Sequence, residues 1–150
     1  MPAPTGALPG WLPFANRIVR VLYRLGIPLG DIHVLTVPGR RTGEPRPTPV
    51  SPLTVDHRRY VVAALVRGDW ARNARAAGHG ELARGRRRTR VRVVEVTEPG
   101  EKEAVLRAFP REVPSGVPFF VRLGLVTGPD PDQFAAVAAE VAVFRLEETG

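Results

Sequence analysis

The sequence predicts a mainly β domain of the α+β class, built from antiparallel strands with flanking helices. Three observations predict it. Short β-branched or alternating runs recur at Asp31–Val37, Thr48–Val55, Arg59–Val66, Glu81–Arg84 and Arg87–Val96. Hairpin-length turns separate them. Helical patterning is confined to the N-terminus, residues 70–77 and the C-terminal third.

The elements follow in order. Residues 1–10, rich in Pro and Gly, suit a flexible arm. Residues 12–25 predict a helix with Phe14, Ile18, Val21, Leu22 and Leu25 on one face and Arg17, Arg20 and Arg24 on the other, ended by Gly26. Such a basic amphipathic helix can cap a barrel, pack at a dimer seam or contact an acidic membrane surface. The Asp56-His57-Arg58 turn joins two runs as an antiparallel hairpin, although it lacks Asn-Gly. Asp69 is the expected N-cap of a two-turn helix over 70–77, and Gly78 its stop. Gly85 is the centre of a second hairpin. Beyond it, Arg88, Arg90 and Arg92 alternate with Thr89, Val91 and Val93, giving one wet, basic strand face. No aromatic residues interleave there for base stacking, so nucleic acid is not the expected partner. Glu101–Phe109 reads as helix, Pro110–Pro118 as a proline-broken connection, and Phe119–Leu125 as an apolar segment of undecided type. Asp130 caps a last helix with Pro131 at its first position and Phe134, Val137, Ala138 and Val141 inward. Val141–Leu146 alternates as a final strand would, which leaves that helix boundary open.

Composition narrows the function classes. The 150 residues, 43% hydrophobic, suit one domain with an adequate core. Of 22 basic residues only Lys102 is lysine, so the net charge of +7 reflects arginine usage more than a nucleic-acid footprint. Cysteine is absent, which excludes disulfides and thiolate chemistry. No signal-peptide pattern or membrane-length apolar run is evident, and a cytoplasmic protein is expected. Ser51 and Ser115 lie outside any Gly-x-Ser-x-Gly elbow. His33, His57 and His79 are scattered, so no metal site is expected.

Two segments carry chemistry. Val37-Pro-Gly-Arg-Arg-Thr-Gly-Glu-Pro-Arg-Pro-Thr-Pro-Val50 places Arg40, Arg41 and Arg46 on a turn punctuated by Gly39 and Gly43. Its backbone N–H groups can converge on an anion, and guanidinium forks add bidentate donors for phosphate or carboxylate. It is not a Walker A loop, because the glycines are too close and no Lys-Ser/Thr pair follows. An exposed hairpin with solvated arginines is the alternative. In Asp69-Trp-Ala-Arg-Asn-Ala-Arg-Ala-Ala-Gly78, the residues Trp70, Asn73, Ala74 and Ala77 share one helical face. That face can meet a flat ligand, or Trp70 can simply pack on the sheet.

Taken in order, Gly-Arg-Arg-Thr-Gly-x-x-Arg-x-x-Pro, a strand hairpin and Asp-Trp-x-x-Asn-x-x-Ala-Ala-Gly resemble the deazaflavin-dependent nitroreductase-like oxidoreductases. The likeness runs from about residue 30 to residue 97. It implies a split β-barrel, flavin-reductase-like fold, a homodimer, and hydride transfer between the deazaflavin coenzyme F-420 and an electron-poor small molecule such as a quinone, nitro compound or activated alkene. FMN, or no redox cofactor, is the alternative within the superfamily, with a non-redox binding protein or enzyme as the other function. By matching motif positions, Arg40, Arg41 and Arg46 would grip the coenzyme's phosphate and acidic tail. Thr42 and Gly43 would add contacts, Thr48 and Pro49 would shape the adjoining strand, Ala63, Ala64 and Leu65 would run along the ring, and Trp70 and Asn73 would close its edge. The chain departs from the pattern at Ala71, where many members carry an aromatic residue. Leu65-Val66-Arg67 also lacks the Ser-Lys character of some binders, with Arg67 as the substitute charge. Tyr23 and Tyr60 are catalytic candidates by chemistry alone.

Overall fold

The computed structural model describes residues 33–149. The expected arm at 1–10, the helix over 12–25 and Tyr23 lie outside the described residues. Seven strands form one antiparallel sheet: β1 (His33–Pro38), β2 (Pro45–Val50), β3 (Leu53–Val55), β4 (Arg58–Ala63), β5 (His79–Arg84), β6 (Arg87–Glu95) and β7 (Ala142–Glu148). Among the described residues four α-helices accompany them, α1 (Asp69–Ala77), α2 (Pro99–Glu112), α3 (Val117–Arg122) and α4 (Pro131–Ala136).

The strand order β2-β1-β5-β6-β7-β4-β3 puts β2 and β3 on opposite edges. Only Ser51 and Pro52 join them. Three Cα steps span about 10–11 Å, whereas six strand spacings in a flat sheet would be about 29 Å. The sheet must therefore curl until its edges adjoin. That closure is the split half-barrel expected from sequence. It also corrects the single strand read over Thr48–Val55, because a turn at Ser51-Pro52 hands the chain from one edge to the other.

Alternation sorts side chains between two cores. Inside the curl, Leu35, Val37, Val61, Leu82, Val91, Val93, Ala142 and Phe144 pack with Ala71 and Ala74 of α1, which plugs the barrel. On the outer face Tyr60 and Val143 meet α2, α3 and α4 through Val105, Leu106, Phe109, Phe120 and Phe134. The last three form an aromatic triangle with centroids 5.0–5.5 Å apart. Burying both faces there explains the apolar runs Tyr60–Ala63 in β4 and Ala142–Phe144 in β7.

Several boundaries differ from expectation for local reasons. The Asp56-His57 turn does close the β3–β4 hairpin, with both residues at positive φ (51° and 65°), the conformation Asn-Gly more often supplies. β4 stops at Ala63, so Ala64–Val66 form the turn into α1 rather than strand. Gly68, not Asp69, is the N-cap of α1, and Asp69 is its first-turn acid. Helix α2 is capped by Glu98, whose carboxylate accepts from the Gly100 and Glu101 amides. It runs on through Pro110, which is buried with Phe109 in the outer core. The apolar segment after Pro118 belongs to α3, closed by Gly124 at φ 77°. Asp130 caps α4 as expected, accepting from the Asp132 amide at 2.9 Å. The wet strand face is also seen, with Arg90 and Arg92 exposed and Val91 and Val93 buried.

Candidate coenzyme site

The β1–β2 loop is held by its own backbone. Gly39 and Glu44 continue the ladder through a 2.8 Å bond, and the Gly43 amide returns to the Gly39 carbonyl at 2.9 Å. Gly43 sits at φ 76°, which a side chain would oppose. The Glu44 amide bonds the Thr42 hydroxyl at 3.2 Å. These bonds consume most of the loop's amides, leaving those of Arg41 and Thr42 unpartnered among the described residues. The anion-binding capacity therefore rests on side chains more than on a backbone nest.

Helix α1 anchors the loop. The Asn73 side-chain oxygen accepts from the Arg40 amide at 3.0 Å and from Arg40 Nη1 at 2.9 Å, while Arg40 Nη2 lies 3.3 Å from Asp69. Arg40 is thus largely spent on orienting the loop. Arg41 is exposed, and Arg46 makes only a loose 3.8 Å approach to Glu44. Around them opens a polar cavity of about 370 Å³ lined by Gly39, Arg40, Arg41, Thr42, Arg46, Asp69 and Asn73.

A second cavity, about 360 Å³ and apolar, lies against the N-terminal end of the same helix. Thr48, Pro49, Ala64, Leu65 and Trp70 line it from one side, and Phe109, Val113, Gly116, Phe119 and Phe120 from the other. Asp69 borders both cavities. Trp70 packs on Phe144 of the barrel core, centroids 5.5 Å apart, and so does both things open to it: it packs on the sheet and walls the cavity. Leu65 (54% exposed) and Phe119 (50%) stand at the rim.

Ten of the residues named from sequence therefore fall on these two cavities: Arg40, Arg41, Thr42, Arg46 and Asn73 on the polar one, and Thr48, Pro49, Ala64, Leu65 and Trp70 on the apolar one. Others do not. Gly43 faces a different cavity, on the far side of its hairpin. Ala63 is sealed in the inner core because β4 turns it inward. Asn73 lines the polar cavity, with its oxygen committed to Arg40. Ala64 and Leu65 contribute from the turn rather than a strand.

Tyr60 lines neither cavity. It is buried in the outer core and donates to Glu101 Oε2 at 2.7 Å. Burial, reinforced by that bond, pushes its phenol above the ordinary tyrosine value. Glu101 also accepts from Arg145 at 2.8 Å with Arg58 at 3.6 Å, and its carboxyl is held low, first by the Tyr60 hydrogen bond and then by Arg145. A phenol so committed is a structural donor. The wall from α2 and α3 was not legible as part of a site; its signal was the apolar density of Val117–Leu125, excessive for a surface connection.

Comparison with known proteins shows the family. The family model described as F420H(2)-dependent quinone reductase matches residues 17–118, a span that includes the arginine loop, α1 and α2. The chain belongs to this family. It is a deazaflavin-dependent oxidoreductase that uses coenzyme F-420. The donor set fits the group: three arginines at a polar cavity adjoining an apolar one. The fold is shared with an F420-H2 dependent reductase (FDR-A; TM-score 0.54, 14% identity, 78% of this chain and 94% of that one). It is shared too with a chain solved as a domain-swapped dimer (TM-score 0.56, 15% identity, 89% and 96%). A protein of unknown function from Agrobacterium tumefaciens is also similar (TM-score 0.56, 19% identity, 99% of this chain and 60% of that one). No curated protein matches the chain.

Proposed function

We propose that the coenzyme's phosphate and acidic tail lie in the arginine cavity, that its ring lies along Trp70 in the apolar cavity, and that the acceptor is a quinone. The observation that carries this reading is the pairing of two cavities of opposite chemistry against the N-terminal half of one helix, with Asp69 bordering both. When bound, the deazaflavin supplies the hydride, and the protein supplies alignment and dryness. Arg41 and Arg46 offer planar forks that fix a phosphate's orientation, where lysine would act only as a point charge. Arg40 is held in place by Asn73, with its remaining edge against the exposed carboxylate of Asp69. Thr48 and Pro49 form one wall beside the ring, and Leu65 and Phe119 at the rim exclude water. The quinone is favoured by the family's description and by the phenylalanine-rich wall, which suits a flat apolar acceptor. Nitro compounds and activated alkenes are the other members of the class.

A cytoplasmic homodimer completes the reading, supported by the similar chain solved as a dimer. Light scattering is expected to give a dimer's mass; a 16.4 kDa monomer at micromolar concentration would exclude it. Among the described residues no helix is long and apolar enough to cross a membrane. The acceptor is tested by following oxidation of the reduced coenzyme, by absorbance, with a quinone, a nitroaromatic and an enone. The quinone should react fastest. Turnover of the nitroaromatic or enone with a silent quinone would move the acceptor class.

A further inference from the structure

Asp69 is the single acid among the described residues lining the arginine cavity. Its carboxylate sits 3.3 Å from Arg40 Nη2, on the edge of the guanidinium that Asn73 does not hold. The two partners are unequally fixed. The Arg40 side chain is 22% exposed and tied to a neutral amide, whereas that of Asp69 is 88% exposed. An exposed pair of this kind is weak and readily exchanged for a better anion. Asp69 also borders the apolar cavity, so a swing of its side chain stays within the groove.

We propose that Asp69 is a resident stand-in for the coenzyme's anion: it occupies the open edge of Arg40 and must yield it when the charged tail binds. This rests on the arginine cavity being the tail site. Asp69 thereby attenuates binding at the tail site. A ligand with a phosphate must displace the carboxylate from Arg40, while a neutral-tailed deazaflavin makes no such exchange. The acid that keeps Arg40 aligned in the free protein also repels anions, so it lowers affinity for the intact coenzyme and narrows its advantage over a neutral-tailed one.

The test is equilibrium titration of intact coenzyme F-420 and of its tail-less deazaflavin fragment against wild type, Asp69→Asn and Arg46→Ala. Asp69→Asn keeps an oxygen for Arg40 but removes the charge. It should bind the intact coenzyme about two- to fivefold more tightly, the scale of an exposed ion pair, and the fragment unchanged. The gain should shrink as salt is raised. If Arg46→Ala weakens the intact coenzyme but Asp69→Asn does not tighten it, or tightens the fragment equally, the stand-in role is overturned and the tail site survives. If Arg46→Ala leaves the intact coenzyme unaffected, the tail site fails and the role of Asp69 fails with it.

Discussion

Two arginine-rich regions of this molecule use the same side chain in opposite ways. Around Glu101, the guanidinium of Arg145 is saturated by Glu101 and Glu147 at 2.8 Å each, and Tyr60 completes the cluster from the core. On the β1–β2 loop, Arg41 is exposed and Arg46 has only a distant acid, on a backbone stiffened by its own hydrogen bonds and by Asn73. The paired arginines tie strands to helix α2. The loop's backbone is held while the Arg41 and Arg46 side chains stay unneutralised, an arrangement that suits a ligand's charge. Pairing, rather than abundance of arginine, separates the structural cluster from the one we propose for binding.

The largest stability effect should come from breaking the paired cluster. Glu101→Ala strips Tyr60, nearly fully buried, of its acceptor and should cost about 2–3 kcal/mol. Urea unfolding measures it, with coenzyme affinity expected to stay constant. A change in affinity instead of stability would erase the distinction between the regions. Next comes Gly116→Ala at the wall of the apolar cavity. Its Cβ would stand 2.8 Å from the Phe109 ring, so the aromatic triangle must shift, at about 1–2 kcal/mol. Binding of the tail-less fragment should weaken along with the fall in melting temperature.

Acid should separate the regions further. Glu101, Glu95 and Glu147 all have carboxyls held below their ordinary value, by hydrogen bonds from Tyr60, Arg75 and Arg145 respectively. A lowered folded-state value means stability fully present above the ordinary carboxylate range and lost as pH falls through the folded value. Melting temperature followed from about pH 7 to about pH 3 should drop steeply in wild type and less steeply in Glu101→Gln. Parallel curves would show that Glu101 does not contribute. The smallest effect belongs to the loop. Arg41→Ala and Arg46→Ala should each change stability by no more than about 0.5 kcal/mol, as surface substitutions do.

Much of this was legible because local rules and tertiary packing agree. The Asp130-Pro131 cap, the Trp70 helix face and the Arg87–Glu95 alternation are local patterns that the fold keeps. Closure of the barrel was not readable residue by residue, because it depends on Ser51-Pro52 joining strands whose neighbours lie far apart in sequence. Tyr60 looked reactive by type, and only its burial against Glu101 shows otherwise. The helical wall of the apolar cavity was hidden for a related reason: Pro110 argues for a broken chain and the phenylalanine core overrides it, while Pro118 opens α3 in its first turn, where proline is tolerated. On the loop the glycine turn was right, but the amides of Gly39, Gly43 and Glu44 are spent within it and that of Arg40 on Asn73, which pairing in three dimensions alone reveals.

The central claim is that the unpaired loop arginines hold the coenzyme's charged tail while Trp70 serves its ring. Titrating intact coenzyme and tail-less fragment against Arg41→Ala, Arg46→Ala and Trp70→Ala tests it most directly. Each arginine variant should lose roughly 1.5–3 kcal/mol toward the intact coenzyme, about ten- to hundredfold in affinity, and nothing toward the fragment. Trp70→Ala should weaken both. Arginine variants that bind intact coenzyme as wild type does would contradict the account and return the loop to an ordinary solvated hairpin.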